Sequence, residues 1–277
     1  VFSDLSPKDR FSLSYYSGID DIFFDTFGLN GRWGNNTISA HYRRVFNEKL
    51  VGNFLVANSQ FFTRFGLGGS GGLISDNGID DITVSGNFSW FASSASTVKF
   101  GIQHKTLGFE YTNKFQDSTQ FEIKTSPTEF ATYIKMKKEY NDLFIIEPGI
   151  RINFYNVYPD SIYPDLRLGL KYLLTDDRYI NFSVGNYHQF ISTFQDDFNP
   201  SILDNWIAAD ESVAPGKSIQ LVLGYEEYIR NMYKIQVEGY YKDLKNLLTY
   251  EERRSTTDAE VSDENLADIV TPADGYA

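Results

Sequence analysis

Hydrophobic and polar residues alternate with a period of two along most of the chain, the pattern of β-strands with one apolar and one polar face. In residues 143–155, Phe144, Ile150 and Phe154 fall on one face, and Glu147 and Arg151 on the other. The same alternation predicts about eleven strands, near 10–24, 33–46, 50–65, 80–92, 97–110, 128–139, 143–155, 164–173, 178–190, 217–228 and 232–248. No segment of useful length repeats its apolar residues with the period of a helix, so the pattern predicts an all-β protein.

Short turns and longer connections alternate between these strands. Hairpin turns are predicted near 47–49, 93–95, 140–142, 175–177 and 229–231, and longer connections near 66–80, 111–125, 156–163 and 192–216. An antiparallel up-and-down transmembrane β-barrel has short turns at one end and long loops at the other. Each of its strands needs ~9–11 residues within the hydrocarbon, and the predicted strands are long enough. The pattern therefore favours such a barrel.

Aromatic residues are abundant, with 23 Phe, 19 Tyr and 3 Trp among 277 residues. Many lie towards predicted strand ends, for example Tyr15, Phe65, Trp90 and Tyr225, as in the aromatic girdles of membrane barrels. No apolar run approaches the ~20 residues of a transmembrane helix. Aromatic residues are also good strand formers in soluble proteins. A secreted soluble β-sandwich that binds carbohydrate therefore stays an alternative.

The net charge of −12 argues against nucleic acid as a partner, because phosphates require a basic surface. Residues 192–216 contribute −5 and residues 251–277 contribute −6, so the charge is concentrated outside the strands. Aromatic and acidic side chains could stack on a ligand, coordinate a cation or bond a sugar. The candidate ligand-binding residues of this predicted extracellular loop are Trp206, Phe194, Phe198, Asp196, Asp197 and Asp204. Alternatively, the acidic loops are only solvated, or contact divalent ions that bridge lipopolysaccharide.

Charged and polar residues on the second face of the strands are predicted to face the barrel lumen. The interior of a barrel is wet, and its charges are paired. The predicted lumen-facing residues are Glu147, Arg151, Asp165, Arg167, Lys171, Gln220, Gln236 and Glu238. They would line a plug interface or a substrate path, or would be ordinary polar wall residues.

No catalytic residue, metal site or cofactor is predicted. The chain has no cysteine, and its three histidines lie on separate predicted strands. His104 and His188 continue apolar faces, which indicates interfacial positions. The glycine-rich residues 66–72 open no helix, so a surface loop is predicted there. An outer-membrane hydrolase would need an essential serine or acid in the lumen, and the sequence singles out none.

Several local strings resemble the barrel of TonB-dependent outer-membrane receptors. They are Trp33-Gly34-Asn35-Asn36 at the start of a strand, Tyr187-His188-Gln189-Phe190, Pro215-Gly216-Lys217-Ser218, Leu223-Gly224-Tyr225-Glu226 and the run from Glu238 to Leu247. The resemblance extends over essentially the whole chain and is most specific in residues 215–247. It implies a bacterial outer-membrane protein with a 22-stranded barrel and an N-terminal plug, importing a siderophore, cobalamin or oligosaccharide with TonB-coupled energy.

Residues 1–277 contain no visible plug or TonB-contacting box, so we expect them to be a partial barrel, about half of the full strand set. The partners that the resemblance implies are outer-membrane lipid and lipopolysaccharide, the TonB complex through a plug that is not in this chain, and a small-molecule or oligosaccharide ligand. A passive porin-like channel needs no plug and stays a further alternative.

Overall fold

A computed structural model describes residues 1–69, 72–157, 162–194, 205–230, 232–250 and 270–273. The strands in chain order are β1 (Phe2–Ser6), β2 (Asp9–Phe24), β3 (Leu29–Asn47), β4 (Leu50–Leu67), β5 (Leu73–Ser93), β6 (Ser96–Phe115), β7 (Ser118–Thr125), β8 (Thr128–Tyr140), β9 (Phe144–Tyr155), β10 (Ile162–Thr175), β11 (Arg178–Gln189), β12 (Ile191–Phe194), β13 (Asn205–Ala208), β14 (Gly216–Ile229), β15 (Tyr233–Lys245), β16 (Leu247–Tyr250) and β17 (Val270–Ala273). A 3-10 turn, Asp25–Phe27, joins β2 to β3. Among the described residues, no helix is long and apolar enough to cross a membrane.

Thirteen strands form one antiparallel sheet. Its order is β1-β2-β3-β4-β5-β6-β8-β9-β10-β11-β14-β15, and β7 pairs with β6 beside this path. Strands that follow one another along the chain are therefore neighbours in the sheet, apart from short strands within the connections. The eleven long strands predicted from the alternation are all present, which confirms the all-β, antiparallel, up-and-down fold class. Within the described residues β1 and β15 each have one neighbour, so the sheet is not closed.

Three of the predicted long connections contain strand and are corrected here. β4 runs to Leu67 and β5 begins at Leu73, so most of residues 66–80 is paired. β6 continues to Phe115 and folds back as β7 over residues 111–125. The segment 192–216 includes β13 and most of β12, which pair with each other. These strands extend into stretches rich in Asp, Asn, Thr and Lys, where backbone pairing continues but hydrophobic alternation gives no signal.

Cross-strand register sorts the side chains onto two faces. One continuous row of paired residues is Phe88, Phe100, Ile134, Ile150 and Leu166, across β5, β6, β8, β9 and β10. This apolar face is open: Ile134 is 51% and Leu166 57% exposed. Residues one position further along each strand form the opposite, polar face, where Asp165 pairs with Arg151. The buried residues are concentrated on the polar face, near the end that bears the long connections.

Candidate functional site on the polar face

The hairpin of β12 and β13 packs onto the polar face instead of extending from the sheet. Its contact area begins with three apolar residues in one register row, Phe61, Ile79 and Phe109. The Trp206 ring meets Phe61 edge to face, with centroids 6.4 Å apart. The fully buried members of this cluster are Phe109, Ile207, Ala208 and Val213. An apolar patch on an otherwise polar face thus positions the hairpin.

Two buried side chains hold the backbone of this hairpin. Asn77 Nδ2 donates to the Trp206 carbonyl at 3.3 Å, and Asn77 Oδ1 accepts from the Trp206 N–H at 3.2 Å. This amide therefore pairs with Trp206 much as a neighbouring strand would. The Tyr155 hydroxyl donates to the Ala209 carbonyl at 2.7 Å. Because Asn77 is 3% and Tyr155 1% exposed, neither bond competes with bulk water.

A second buried cluster lies beside the first and contains Tyr155, Tyr163, Phe190 and Ala209. Tyr155 stacks on Phe190 with centroids 4.6 Å apart, and Tyr163 meets Phe190 edge to face at 5.2 Å. The segment after β13 thus lies against aromatic rings from the ends of β9, β10 and β11.

Asp165 forms the centre of a buried polar network. Its Oδ1 lies 2.7 Å from His188 Nδ1, and its Oδ2 accepts from Asn153 Nδ2 at 3.1 Å. Asp165 is 3% exposed, so both contacts replace water around its carboxyl group. Arg151 extends the network by donating to Asn153 at 2.6 Å, to Gln103 at 2.8 Å and to Glu129 at 3.2 Å; the last contact is also an ion pair.

The contact of His188 corrects its predicted place on the apolar face. Backbone pairing between β10 and β11 ends at Arg167 and Gly185. Beyond this point the Asn186 side chain replaces the backbone bonds, accepting from the Leu166 N–H at 2.8 Å and donating to the Pro164 carbonyl at 2.7 Å. His188 lies just beyond the point where the two strands part, and its side chain reaches Asp165.

The eight predicted lumen-facing residues share the polar face by register. Arg151 pairs with Asp165, Glu147 with Gly169, Gln220 with Lys242 and Glu238 with Gly224. Arg151, Asp165 and Arg167 meet in or beside the Asp165 network. Others form separate local contacts: Lys171 Nζ lies 4.0 Å from Glu226, and Gln236 donates to Glu238 at 2.7 Å. Whether this face lines a barrel lumen stays a prediction.

The predicted loop ligand residues are placed only in part. Trp206 packs on the wall, and its indole Nε1 is buried without a hydrogen-bond partner in the described part of the chain. Phe194 pairs with Asn205 in the hairpin backbone. Asp196, Asp197, Phe198 and Asp204 lie outside the described residues, and the ligand role of the whole set stays a prediction. Sequence reasoning missed Asn77, Tyr155 and Glu129. The alternation along β9 does place Asn153 on the polar face, and this was the one available signal for the network.

Comparison with known proteins places this fold. No family model and no curated protein matches the chain. The solved siderophore receptor PirA from Pseudomonas aeruginosa matches 90% of it with a TM-score of 0.63 at 11% identity, over 45% of that chain. The ferric-catecholate import receptor Fiu from E. coli K12 matches 90% with a TM-score of 0.65 at 10% identity, over 51% of its length. The fold is that of these receptors.

A third match is the RagAB peptide transporter, which covers 91% of this chain and 40% of its own, with a TM-score of 0.60 at 7% identity. The chain thus spans about half or less of the length of these solved proteins. At the level of fold, the matches confirm the resemblance to TonB-dependent receptors stated from the sequence.

Proposed function

We propose that this chain forms part of the barrel of a bacterial outer-membrane receptor that imports a scarce nutrient with TonB-coupled energy. The observation that carries the proposal is the open apolar face opposite a hydrogen-bonded polar face. Leu166 and Leu223 are 57% and 55% exposed, and Ile134 is 51% exposed. A broad apolar surface of this kind requires a cover, and hydrocarbon supplies it around a barrel.

The soluble β-sandwich alternative lacks this support. A sandwich covers the apolar face of one sheet with a second sheet about 10 Å away. Here the main strands join one sheet, and the other two sheets in the described residues have two strands each. The exposed edges of β1 and β15 would be costly in lipid. We propose that further strands of a larger barrel pair with them, since the matched receptors are about twice as long.

The transported ligand is proposed at the level of class. PirA is a siderophore receptor, FecA is a ferric citrate transporter and RagAB is a peptide transporter. For this chain we retain a siderophore, cobalamin or oligosaccharide as the ligand, together with outer-membrane lipid, lipopolysaccharide and the TonB complex as partners. We infer a transport role and no catalytic one. Uptake that persists after deletion of TonB would instead indicate a passive porin-like channel.

A cysteine scan of β10 tests the two faces. The chain contains no cysteine, so single replacements of residues 166–171 in the full-length membrane protein have no background from this region. We expect a lipid-soluble maleimide to label cysteines at Leu166, Leu168 and Leu170, and a membrane-impermeant reagent to label those at Arg167 and Lys171. As the control, the protein is unfolded in denaturant, where the impermeant reagent should label every introduced cysteine. Equal labelling of neighbouring positions by the impermeant reagent before denaturation would overturn the proposal.

A further inference from the structure

A row of alternating cations and glycines crosses four strands on the polar face. Lys135 of β8 pairs with Gly149 of β9, Gly149 with Arg167 of β10, and Arg167 with Gly185 of β11. Directly paired side chains in a sheet normally fill the space between them. Glycine has no side chain, so a gap one strand wide separates Lys135 from Arg167, and a second gap follows Arg167.

These gaps are part of a cavity of about 410 Å³. The side chains at its border include Tyr133, Lys135, Glu147, Arg151, Arg167 and Tyr187. The glycines keep it open. A Cβ atom at Gly149 would lie 3.1 Å from the Lys135 Cβ, and one at Gly185 would lie 3.1 Å from the Tyr187 hydroxyl and 3.2 Å from the Arg167 Cγ. A larger residue at either position would press on a cation or on the ring beside it.

Arg167 is fixed in place but has unused donors. Its guanidinium carbon lies 4.6 Å from the centroid of the Tyr187 ring. Its Nη2 is 3.9 Å from Asp165, too far for a hydrogen bond, and both Asp165 oxygens already have nearer partners. Among the described residues no acceptor hydrogen-bonds to Arg167, and its side chain is 47% exposed.

Three other arginines of the chain hydrogen-bond to a carboxylate. Arg10 and Arg178 each donate through Nε to a carboxylate, at 2.6 Å and 2.9 Å, and Arg64 does so at 2.5 Å. The planar guanidinium fork matches the two oxygens of a carboxylate, and such charge-assisted bonds are stronger than neutral ones. Lys135, across the gap, has no ion-pair partner in the described part of the chain. Arg167 and Lys135 thus both have donors available to an anion in the cavity.

We propose that Arg167 and Lys135 form a carboxylate-binding site in this glycine-floored cavity. Tyr187 orients the guanidinium, and the carboxylate lies above Gly149, between the two cations. The site rests on the proposed function, because it requires the polar face to line an aqueous interior. The carboxylate belongs to a transported solute or to an acidic side chain of a protein segment inside the barrel.

The test uses a cysteine in place of Ser183, which also borders the cavity. In the full-length membrane protein we compare its rates of modification by a sulfonate-bearing and a trimethylammonium-bearing methanethiosulfonate. We expect the ratio of the anionic to the cationic reagent's rate to be about tenfold higher at Ser183→Cys than at a Ser218→Cys control. A nearby unpaired cation has an effect of this size. Arg167→Gln should remove this preference and Arg167→Lys should keep most of it. Lys242→Gln, on the same face outside the cavity, should leave it unchanged.

Citrate as a probe separates the two sources of the carboxylate. Protection of Ser183→Cys by citrate, lost in Arg167→Gln, supports a solute. If neither reagent reaches Ser183→Cys while Ser218→Cys reacts, and Arg167→Gln but not Lys242→Gln lowers the unfolding midpoint, a protein carboxylate occupies the site. Equal reagent preference at both cysteines, or blocked access with no effect of Arg167→Gln, overturns the site. The cysteine scan of β10 is an independent test. Its alternating labelling can be found even if the carboxylate site is absent, whereas a failed scan overturns the proposed function itself.

Discussion

Two regions of the polar face differ in what occupies them. Near the long-connection end, the β12–β13 hairpin covers the wall, where Phe109 is 2% exposed and Asn77 is 3% exposed. Nearer the middle of β10, the cavity beside Arg167 is open and floored by Gly149 and Gly169. The first region joins apolar contacts to satisfied backbone bonds. In the second region, long cationic side chains lie beside glycines, which leave space between them.

This difference separates residues that stabilise the fold from residues that are available to bind a ligand. A buried contact that the chain makes with itself contributes to folding, and its loss lowers stability. A half-exposed arginine without an acceptor adds little to the stability of the fold, but it can recognise a ligand. We therefore expect the hairpin-covered region to be sensitive to substitution in unfolding experiments, and the cavity to be sensitive in binding experiments.

The largest expected effect is that of Phe109→Ala. Phe109 packs against Ile207, Ala208 and Val213, so truncation leaves a void beneath the hairpin. Comparable Phe→Ala changes in cores cost about 3–5 kcal/mol. Equilibrium unfolding of the full-length protein in detergent or bilayers measures this loss. Phe91→Ala is the matched control, because this aromatic residue lies on the same face of the interior strand β5 and is 44% exposed, so its loss should cost much less. Equal losses at the two sites would remove the distinction between the regions.

A smaller effect is expected for Asn77→Leu. Leucine has a similar volume but cannot bond the Trp206 backbone, so a buried N–H and carbonyl lose their partner. Unsatisfied buried groups cost about 1–3 kcal/mol. Hydrogen exchange should accelerate in residues 205–208 more than in β9, and the free energy of unfolding should fall. Asn35→Leu, the same change at an exposed site on the same face of the interior strand β3, is the control. Unchanged exchange in β13 would mean that apolar packing alone holds the hairpin.

The strand framework was predictable because it depends on local alternation. Every side chain of a strand faces one side or the other, so residues such as Arg151 and Lys171 could be assigned to the polar face without knowing their neighbours. The ends of β5 and β6 were not, since Asp76, Asn77 and Thr112 interrupt the apolar series although the backbone stays paired.

The hairpin and the Asp165 network depend on contacts that no local pattern encodes. Asn77 and Trp206 are 129 positions apart, and their pairing needs the connection after β11 to fold back over β5. The place of His188 depends on the point where β10 and β11 part, which the Asn186 side chain fixes. The cavity was also hidden, because glycines considered one strand at a time give no sign that Gly149 and Gly185 lie on either side of Arg167.

The smallest expected effect, and the sharpest test of the hairpin's anchors, is that of Tyr155→Phe. The substitution removes the hydroxyl that donates to Ala209 but keeps the ring stacked on Phe190, so only a hydrogen bond is lost. A buried bond of this kind contributes about 1 kcal/mol. Exchange should accelerate at residues 209–213, with β13 less affected than in Asn77→Leu because the two anchors hold different ends of the segment. Tyr179→Phe, whose exposed hydroxyl donates to the turn carbonyl of Asp176, should change stability less. If Tyr155→Phe instead loosens β13 as much as Asn77→Leu does, the anchors act as one unit and the covered region opens all at once.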